Sequence, residues 1–385
     1  MTRTALIVGA GIGGLAAGIA LRQAGWDIRI FERAPVVREL GFALLMAPNA
    51  MAALHDLGVA DVVLERGFLP VRGEVRRMNG AVLKRAEIPP PEVLGGPAVV
   101  AMRPALHGSL LEAVGEDALT LACEVTGLET DGEQAVLQTA EGNTAEGDVI
   151  VGADGAGSTI RRVLHPSEPP PRECGIIAVR GATQGGVESL GDLSGIWYMG
   201  PGVEAFFVRA SDTGIYWALS VARELLPHGM QGPEAIVAHM APRFEASFRE
   251  VMSITTELRV DELVDRDPLP FWSSGPVTLL GDAAHPLLPH TGQGAAMAIT
   301  DAVALGKALG EESSVPEGLG AYEREQRPKT AYLLGRGRRT ARVMRTTNPV
   351  ACSLRDVAVR LVPVTPLVKA FAGINRLSGT DVSSR

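Results

Sequence analysis

TALIVGAGIGGLAAGIALRQAGWDIRIFE, residues 4–32, decides the fold, because it sets a glycine cluster between two short apolar runs. Thr4 to Val8 is an apolar run of strand length, Ile12 to Ala24 carries small and apolar residues at helical spacing up to Gly25, and Asp27 to Phe31 is again strand-like. Strand, helix and strand joined by tight turns open a doubly wound sheet. The run Ala5–Leu21 could pass for a membrane span, but it holds five glycines and falls short of the ~20 apolar residues a bilayer needs. It reads as mature structure.

Within this unit Gly9-Ala10-Gly11-Ile12-Gly13-Gly14 fits GxGxxG. Gly9 permits the sharp turn, Gly11 lets a pyrophosphate approach the backbone, and Gly14 allows close helix–strand packing. The helix start offers free N–H groups and a positive dipole end to phosphates. Glu32 follows Gly14 by 18 residues, at the end of the second strand, where a carboxylate can accept ribose hydroxyls. The plainer reading is a glycine-rich turn packed for its own sake. Strand, helix and Glu32 together favour a dinucleotide, but they do not choose FAD from NAD.

The whole chain allows two or three domains: 385 residues, 46% hydrophobic, 21% charged. A net charge of −8 argues against a nucleic-acid binder, which needs concentrated positive charge. Cys123, Cys174 and Cys352 lie far apart without CxxC spacing, so no zinc cluster is expected, and a reduced cytoplasmic setting fits.

Further along, Pro48–Leu57 and Arg103–Val114 read as helices, the latter with Pro104 in its first turn. Residues 71–100 suggest an excursion into strands. Leu119–Leu137 alternates, with Asp131-Gly132 as a hairpin turn. Asp148–Gly152 and Val277–Leu280 are buried strands, and residues 174–220 form a strand meander. Pro233–Phe248 and Gly294–Leu309 read as helices, and residues 321–385 as helical and basic until Pro363 and Pro366.

The expected architecture is therefore α/β. A discontinuous Rossmann-like dinucleotide domain takes residues 1–70, 101–173 and 266–330. A substrate domain on a mostly antiparallel sheet is inserted as 71–100 and 174–265, and C-terminal helices follow over 331–385.

Two more glycine-rich stretches follow strands. Gly152-Ala153-Asp154-Gly155-Ala156-Gly157-Ser158-Thr159-Ile160-Arg161 places Asp154 at a strand end, with Ser158 able to cap a helix. GDAAHPLLPHTGQG, residues 281–294, puts Asp282 at a strand's carboxyl end, where α/β sheets hold ligands. Pro286 and Pro289 stiffen this loop, Gly292 and Gly294 leave backbone N–H groups uncovered, and the helix from Gly294 points its positive end back into it.

These three stretches, in this order, resemble the FAD-dependent aromatic hydroxylase family, the single-component flavoprotein monooxygenases similar to para-hydroxybenzoate hydroxylase. That family carries GxGxxG, GADG-x-x-S-x-x-R and GDAAH-P-x-x-P-x-x-G-x-G segments. The resemblance spans roughly residues 3–330 and implies FAD, with NADPH or NADH as electron donor. It also implies that Asp282 bonds the ribityl chain, that Pro289 stands beside the reacting ring edge, and that Gly292 to Ala295 face the flavin's pyrimidine end. Arg103 would reach the FAD phosphates, Arg38 and Arg33 would lie near the cofactor, and Val125 would touch adenine through its main chain. Asp154 and Arg161 would belong to a segment serving both FAD and the nicotinamide cofactor. The implied chemistry is NAD(P)H reduction of FAD, oxygen addition to a C4a-hydroperoxide and transfer of one oxygen to the substrate.

The substrate space is where this chain departs from the family pattern. Phe42-Ala43 stands where GAGI is common, His290-Thr291 replaces smaller or amide residues, and Val208-Arg209 stands where relatives have proline. His290 is a candidate base, while His285 reads as a loop-fixing residue. Arg180, Met199, Phe207 and Tyr216 on the meander are candidates for the substrate wall, and no cationic cluster stands among them, which suggests a neutral or apolar substrate. The expected partners are a small aromatic or polyketide-like molecule and molecular oxygen, with the chain a monomer or homodimer. The arginines of residues 327–345 read by default as a solvated face, with peripheral membrane contact as the alternative. A halogenase on the same scaffold would usually carry WxWxIP, which is absent here; a flavin-binding protein without turnover is the third reading.

Overall fold

The computed structural model describes residues 2–37, 42–130 and 134–361. Its first sheet has six strands in the order β17 (Ser273–Ser274), β18 (Val277–Leu279), β11 (Val149–Gly152), β1 (Thr4–Val8), β2 (Asp27–Phe31) and β7 (Leu119–Thr120). All pair in parallel except β17. Ala5, Leu6, Ile7, Val149, Ile150 and Val151 are completely buried, as strands covered on both faces must be. Helix α1 (Ile12–Gln23) is buried from Leu15 to Leu21, so it lacks a polar stripe over most of its length. It lies close against α9 (Gly294–Glu311): a Cβ on Gly306 would fall 2.8 Å from the Ala20 carbonyl oxygen. A three-stranded antiparallel sheet, β8 (Val125–Thr130), β9 (Ala135–Thr139) and β10 (Thr144–Gly147), joins this core through Leu128, Leu137 and Ala145. The expected turn at Asp131-Gly132 falls outside the described residues.

The second large sheet has seven strands: β16 (Glu257–Asp265), β12 (Arg172–Gln184), β15 (Gly214–Ala222), β14 (Val203–Arg209), β13 (Gly195–Gly200), β4 (Arg72–Arg77) and β5 (Val82–Glu87). Only the β13–β4 pairing is parallel. One face, with Val179, Tyr198, Phe207, Trp217 and Leu219, is sealed by α7 (Pro233–Met240) and α8 (Ala246–Ser253). The helix expected over Pro233–Phe248 is two helices, because Pro242 has no N–H to donate and a single tight turn, Ala241–Arg243, intervenes.

The opposite face meets the part of the molecule built on the first sheet. Ala182, Phe206, Tyr216 and Ala218 pack on Phe42, Ala43 and Val100. The last two lie on the two-stranded sheet β3 (Ala43–Met46) and β6 (Val99–Met102). Shorter helices α2 (Pro48–Asp56), α3 (Ala60–Arg66), α4 (Pro91–Leu94), α5 (Arg103–Val114) and α6 (Thr159–Leu164) complete the connections. At the C-terminal end, α10 (Val315–Met344) and α11 (Pro349–Leu361) follow. Pro363 and Pro366 lie outside the described residues, as does Arg38. No described helix is long and apolar enough to cross a membrane.

Candidate active site

The five parallel strands end at one edge, and that edge collects the motif residues. Gly9 follows β1, Glu32 follows β2, Ala153 and Asp154 follow β11, and the turn 281–283 follows β18. The stretches touch one another. A Cβ on Gly9 would fall 2.6 Å from the Ala153 carbonyl oxygen, and one on Gly13 would fall 2.8 Å from Leu280 and 3.3 Å from Ala298. On Gly14 it would sit 1.9 Å from the Gly9 carbonyl oxygen, so the last glycine is required by the turn itself.

Arg161 ties the second stretch to the third. It is 2% exposed; its Nη1 donates to the carbonyls of Ala283 at 2.8 Å and Ala284 at 3.0 Å, and Nε and Nη2 clasp Glu168 at 2.7 and 2.6 Å. Nη1 thus holds the turn that carries Asp282, and Glu168 fixes the other edge of the guanidinium. The Arg161 side chain is therefore an internal clamp between the second and third stretches.

Three helices begin at this edge, and they differ in one respect. The start of α6 is capped twice: Ser158 Oγ accepts from the Arg161 N–H at 2.9 Å, and Asp154 Oδ2 accepts from the Thr159 N–H at 2.6 Å. Neither α1 nor α9 has a side-chain cap. Their first-turn N–H groups, including those of Ile12, Gly13, Gly294 and Ala295, have no intrahelical acceptor. A methyl group built on Gly11, Gly292 or Gly294 would meet no non-neighbouring atom within 4 Å. Two uncapped positive helix ends facing open space suit a ligand with a pyrophosphate at one end and an anion-forming ring at the other. The residues present thus fit FAD. Gly292 itself uses its N–H within the turn, donating to the Pro289 carbonyl at 2.9 Å, so the uncovered donors begin at Gly294.

Asp282 is open to solvent, yet surrounding protein still pushes its carboxyl up, against the pull of His285 and Arg103. An exposed residue ringed by protein lies in a recess, and solvent in the recess tempers that push. Arg103 acts electrostatically on both Asp282 and Tyr216, and so stands between the loop and the second sheet. Glu32 accepts from the Ala10 N–H through Oε2 and from the Ala34 N–H through Oε1, both at 2.9 Å. A carboxylate has about four acceptor positions, so capacity for ribose hydroxyls remains. Arg33 is exposed beside it, while Val125 is buried at the head of β8.

The two histidines of the loop are both anchors. His285 Nε2 lies 2.5 Å from Asp301 Oδ2 on α9, with both side chains buried. Burial pushes the imidazole down, but the Asp301 charge and hydrogen bond outweigh it and its pKa rises. His290 Nδ1 bonds Glu204 Oε2 at 3.0 Å, and its side chain is only 2% exposed. The candidate base is thus tethered through Nδ1 as a strut to β14, while its Nε2 is buried without a hydrogen-bond partner. Gln293 Oε1 accepts from Asn49 Nδ2 at 3.1 Å, a further buried anchor that sequence reading did not find.

On the open face of the second sheet, cross-strand register aligns Met199 with Glu204, Phe206 with Ala218, and Ala182 with Tyr216. Phe207 is corrected: it is completely buried on the sealed face, stacked on Phe248 with centroids 5.1 Å apart, and Phe206 takes its place beside Tyr216 at 5.7 Å. Arg180 pairs with Asp261 and lies over the Phe42 ring at 5.6 Å. Burial drives the Tyr216 hydroxyl up to about 12, although Arg180 pulls the other way, so it stays protonated at neutral pH.

A doubly wound sheet whose strand ends gather three glycine-rich turns, closed over by the open face of an antiparallel sheet, defines a dinucleotide-dependent enzyme. The family model described as FAD binding domain matches residues 2–181 and 264–336. The chain is 31% identical to the aurachin C monooxygenase/isomerase of Stigmatella aurantiaca, over 93% of this chain and 94% of the relative. It is 32% identical to the 3-amino-4-hydroxybenzoate 2-monooxygenase of Streptomyces cremeus, over 92% and 91%. The Klebsiella pneumoniae HpxO structure with FAD and uric acid shares the fold, with TM-score 0.89, 24% identity and 97% of both chains covered. The chain belongs to the FAD-dependent aromatic hydroxylase family and is an FAD-dependent monooxygenase. Such relatives do not favour the halogenase and non-turnover readings.

Proposed function

We propose that the enzyme uses NADPH or NADH and molecular oxygen to hydroxylate or epoxidise a small electron-rich aromatic or polyketide-like molecule, releasing water and NAD(P)+. Bound FAD supplies the two-electron chemistry and the activation of oxygen. The residues of this chain bind, orient and exclude water. Gly9 to Gly14 and the start of α1 hold the pyrophosphate, Glu32 the ribose, and Val125 and Arg33 flank the adenosine end. Arg103, Asp282 and Asp154 hold the middle of the cofactor; Asp154 Oδ2 is occupied by the α6 cap, so only its other oxygen, buried without a partner, remains for this. Gly292 leaves the approach to the ring open, and Gly294 and Ala295 present the positive end of α9 to it, where reduction places negative charge.

The substrate lies between Pro289 and the open sheet face, against Met199, Phe206, Tyr216 and Phe42. The observation that carries this is the meeting of that face with Phe42 and with the His290 strut. Arg180 and Glu204, two of the charged groups there, are engaged by Asp261 and His290. That pairing supports a neutral substrate. The three cysteines are free, in keeping with a reduced cytoplasmic setting, and nothing in the reaction requires more than one chain.

The test is a screen of neutral and carboxylated phenols, quinolones and hydroxypyridines for faster NAD(P)H oxidation, with product mass. Stimulated oxidation and a gain of one oxygen atom support the proposal. Yellow protein that never oxidises NAD(P)H, with or without these compounds, overturns it.

A further inference from the structure

His107 is buried on α5, 4% exposed, and 97 residues from the loop it touches: its Nε2 lies 2.8 Å from the Ala10 carbonyl oxygen. A carbonyl only accepts, so the ring donates, which fixes the proton on Nε2. The carbonyl of Ala10 and the N–H of Gly11 belong to one planar trans peptide and point in opposite directions. Holding the carbonyl toward α5 therefore turns the Gly11 N–H away from α5.

Gly11 is the residue before α1, without a side-chain cap, and open space surrounds its Cα. The preceding peptide is held as well, because the Ala10 N–H donates to Glu32 Oε2 at 2.9 Å. Consecutive peptides of the loop are thus locked by two side chains from different elements. A glycine-rich loop left to itself has many backbone orientations, since glycine admits both signs of φ. Preorganised donors bind an anion without the cost of ordering them on arrival.

We propose that His107 is a positioning residue for the dinucleotide loop, setting the Gly11 N–H toward the FAD pyrophosphate without touching the cofactor. This rests on residues 9–14 being the phosphate loop. Glutamine can present an amide N–H from a side chain of similar reach, whereas phenylalanine keeps the ring and removes the donor.

The test is titration of apoprotein with FAD, followed by flavin fluorescence, alongside thermal unfolding of each apoprotein. His107→Phe is expected to raise the FAD dissociation constant about tenfold or more, as for losing one buried hydrogen bond. His107→Gln is expected to stay within about threefold of the parent. Gly11→Val, which fills the open space, is expected to abolish tight binding. If Gly11→Val binds FAD normally, the loop is not the phosphate site and the proposal fails with that assignment. If Gly11→Val loses FAD while His107→Phe keeps it, only the role of His107 fails. Should the Phe variant not fold, the Gln variant decides: tight binding supports donation by residue 107, and loss overturns it.

Discussion

Replacing Arg161 by methionine is expected to weaken the fold substantially before any effect on turnover is considered. The guanidinium is 2% exposed, and its removal strands the carbonyls of Ala283 and Ala284 and deprives Glu168 of a two-point partner. Breaking one side of a buried pair costs about 3–5 kcal/mol. Glu168 keeps Arg266 at 3.0 Å, which places the expected loss at the low end, about 3 kcal/mol. Arg161→Lys keeps charge without the planar fork and should recover only about 1 kcal/mol. Urea unfolding of the apoproteins at neutral pH reads these values.

The pH dependence gives a second reading of the same pair. Burial pushes the Glu168 carboxyl up, but hydrogen bonds and charge from Arg161 and Arg266 outweigh it and hold it below its ordinary value. A lowered folded pKa gives stability that is complete above the unfolded value and is lost as pH falls through the lowered one. The gap between parent and Arg161→Met should therefore narrow on acidification. A loss under about 1 kcal/mol at neutral pH, or a gap that widens in acid, would refute the clamp.

Four other substitutions separate parts of the architecture. His285→Gln should remove a pH-dependent stabilisation: the imidazole pKa is raised in the fold, so its share is complete below the unfolded value and disappears as pH rises through the folded one, and melting of parent and variant should converge in alkali. Phe207→Ala should cost about 3–5 kcal/mol in unfolding experiments, whereas Phe206→Ala should cost less and act mainly on KM for the substrate identified by the screen. Gly14→Ala should prevent native packing of α1, because the added carbon would lie 1.9 Å from the Gly9 carbonyl oxygen; a soluble, FAD-replete variant would show that the turn can move.

The glycine turns and Asp282 were legible because their chemistry is local: a glycine at a tight approach and an acid at a strand end are read without knowing the rest of the chain. The faces of the second sheet were not. Alternation separates Phe206 from Phe207, but which of them the helices 233–240 and 246–253 cover is decided by packing. Anchors were equally hidden. Glu204 lies 86 residues from His290, Ala10 lies 97 from His107, and Gln293 lies 244 from Asn49, so no window of sequence contains both ends. Arg161 offered one signal in retrospect, a glutamate seven residues downstream.

Hydrogen–deuterium exchange of the apoprotein, with and without FAD, tests most directly whether separate turns grip one cofactor. Exchange should slow together at the uncapped amides of residues 12–14 and 294–296 as FAD saturates, while the amides of Thr159 and Arg161, already capped by Asp154 and Ser158, change little. Protection confined to one of the two uncapped helix starts, or appearing chiefly at residues 159–161, would contradict the account.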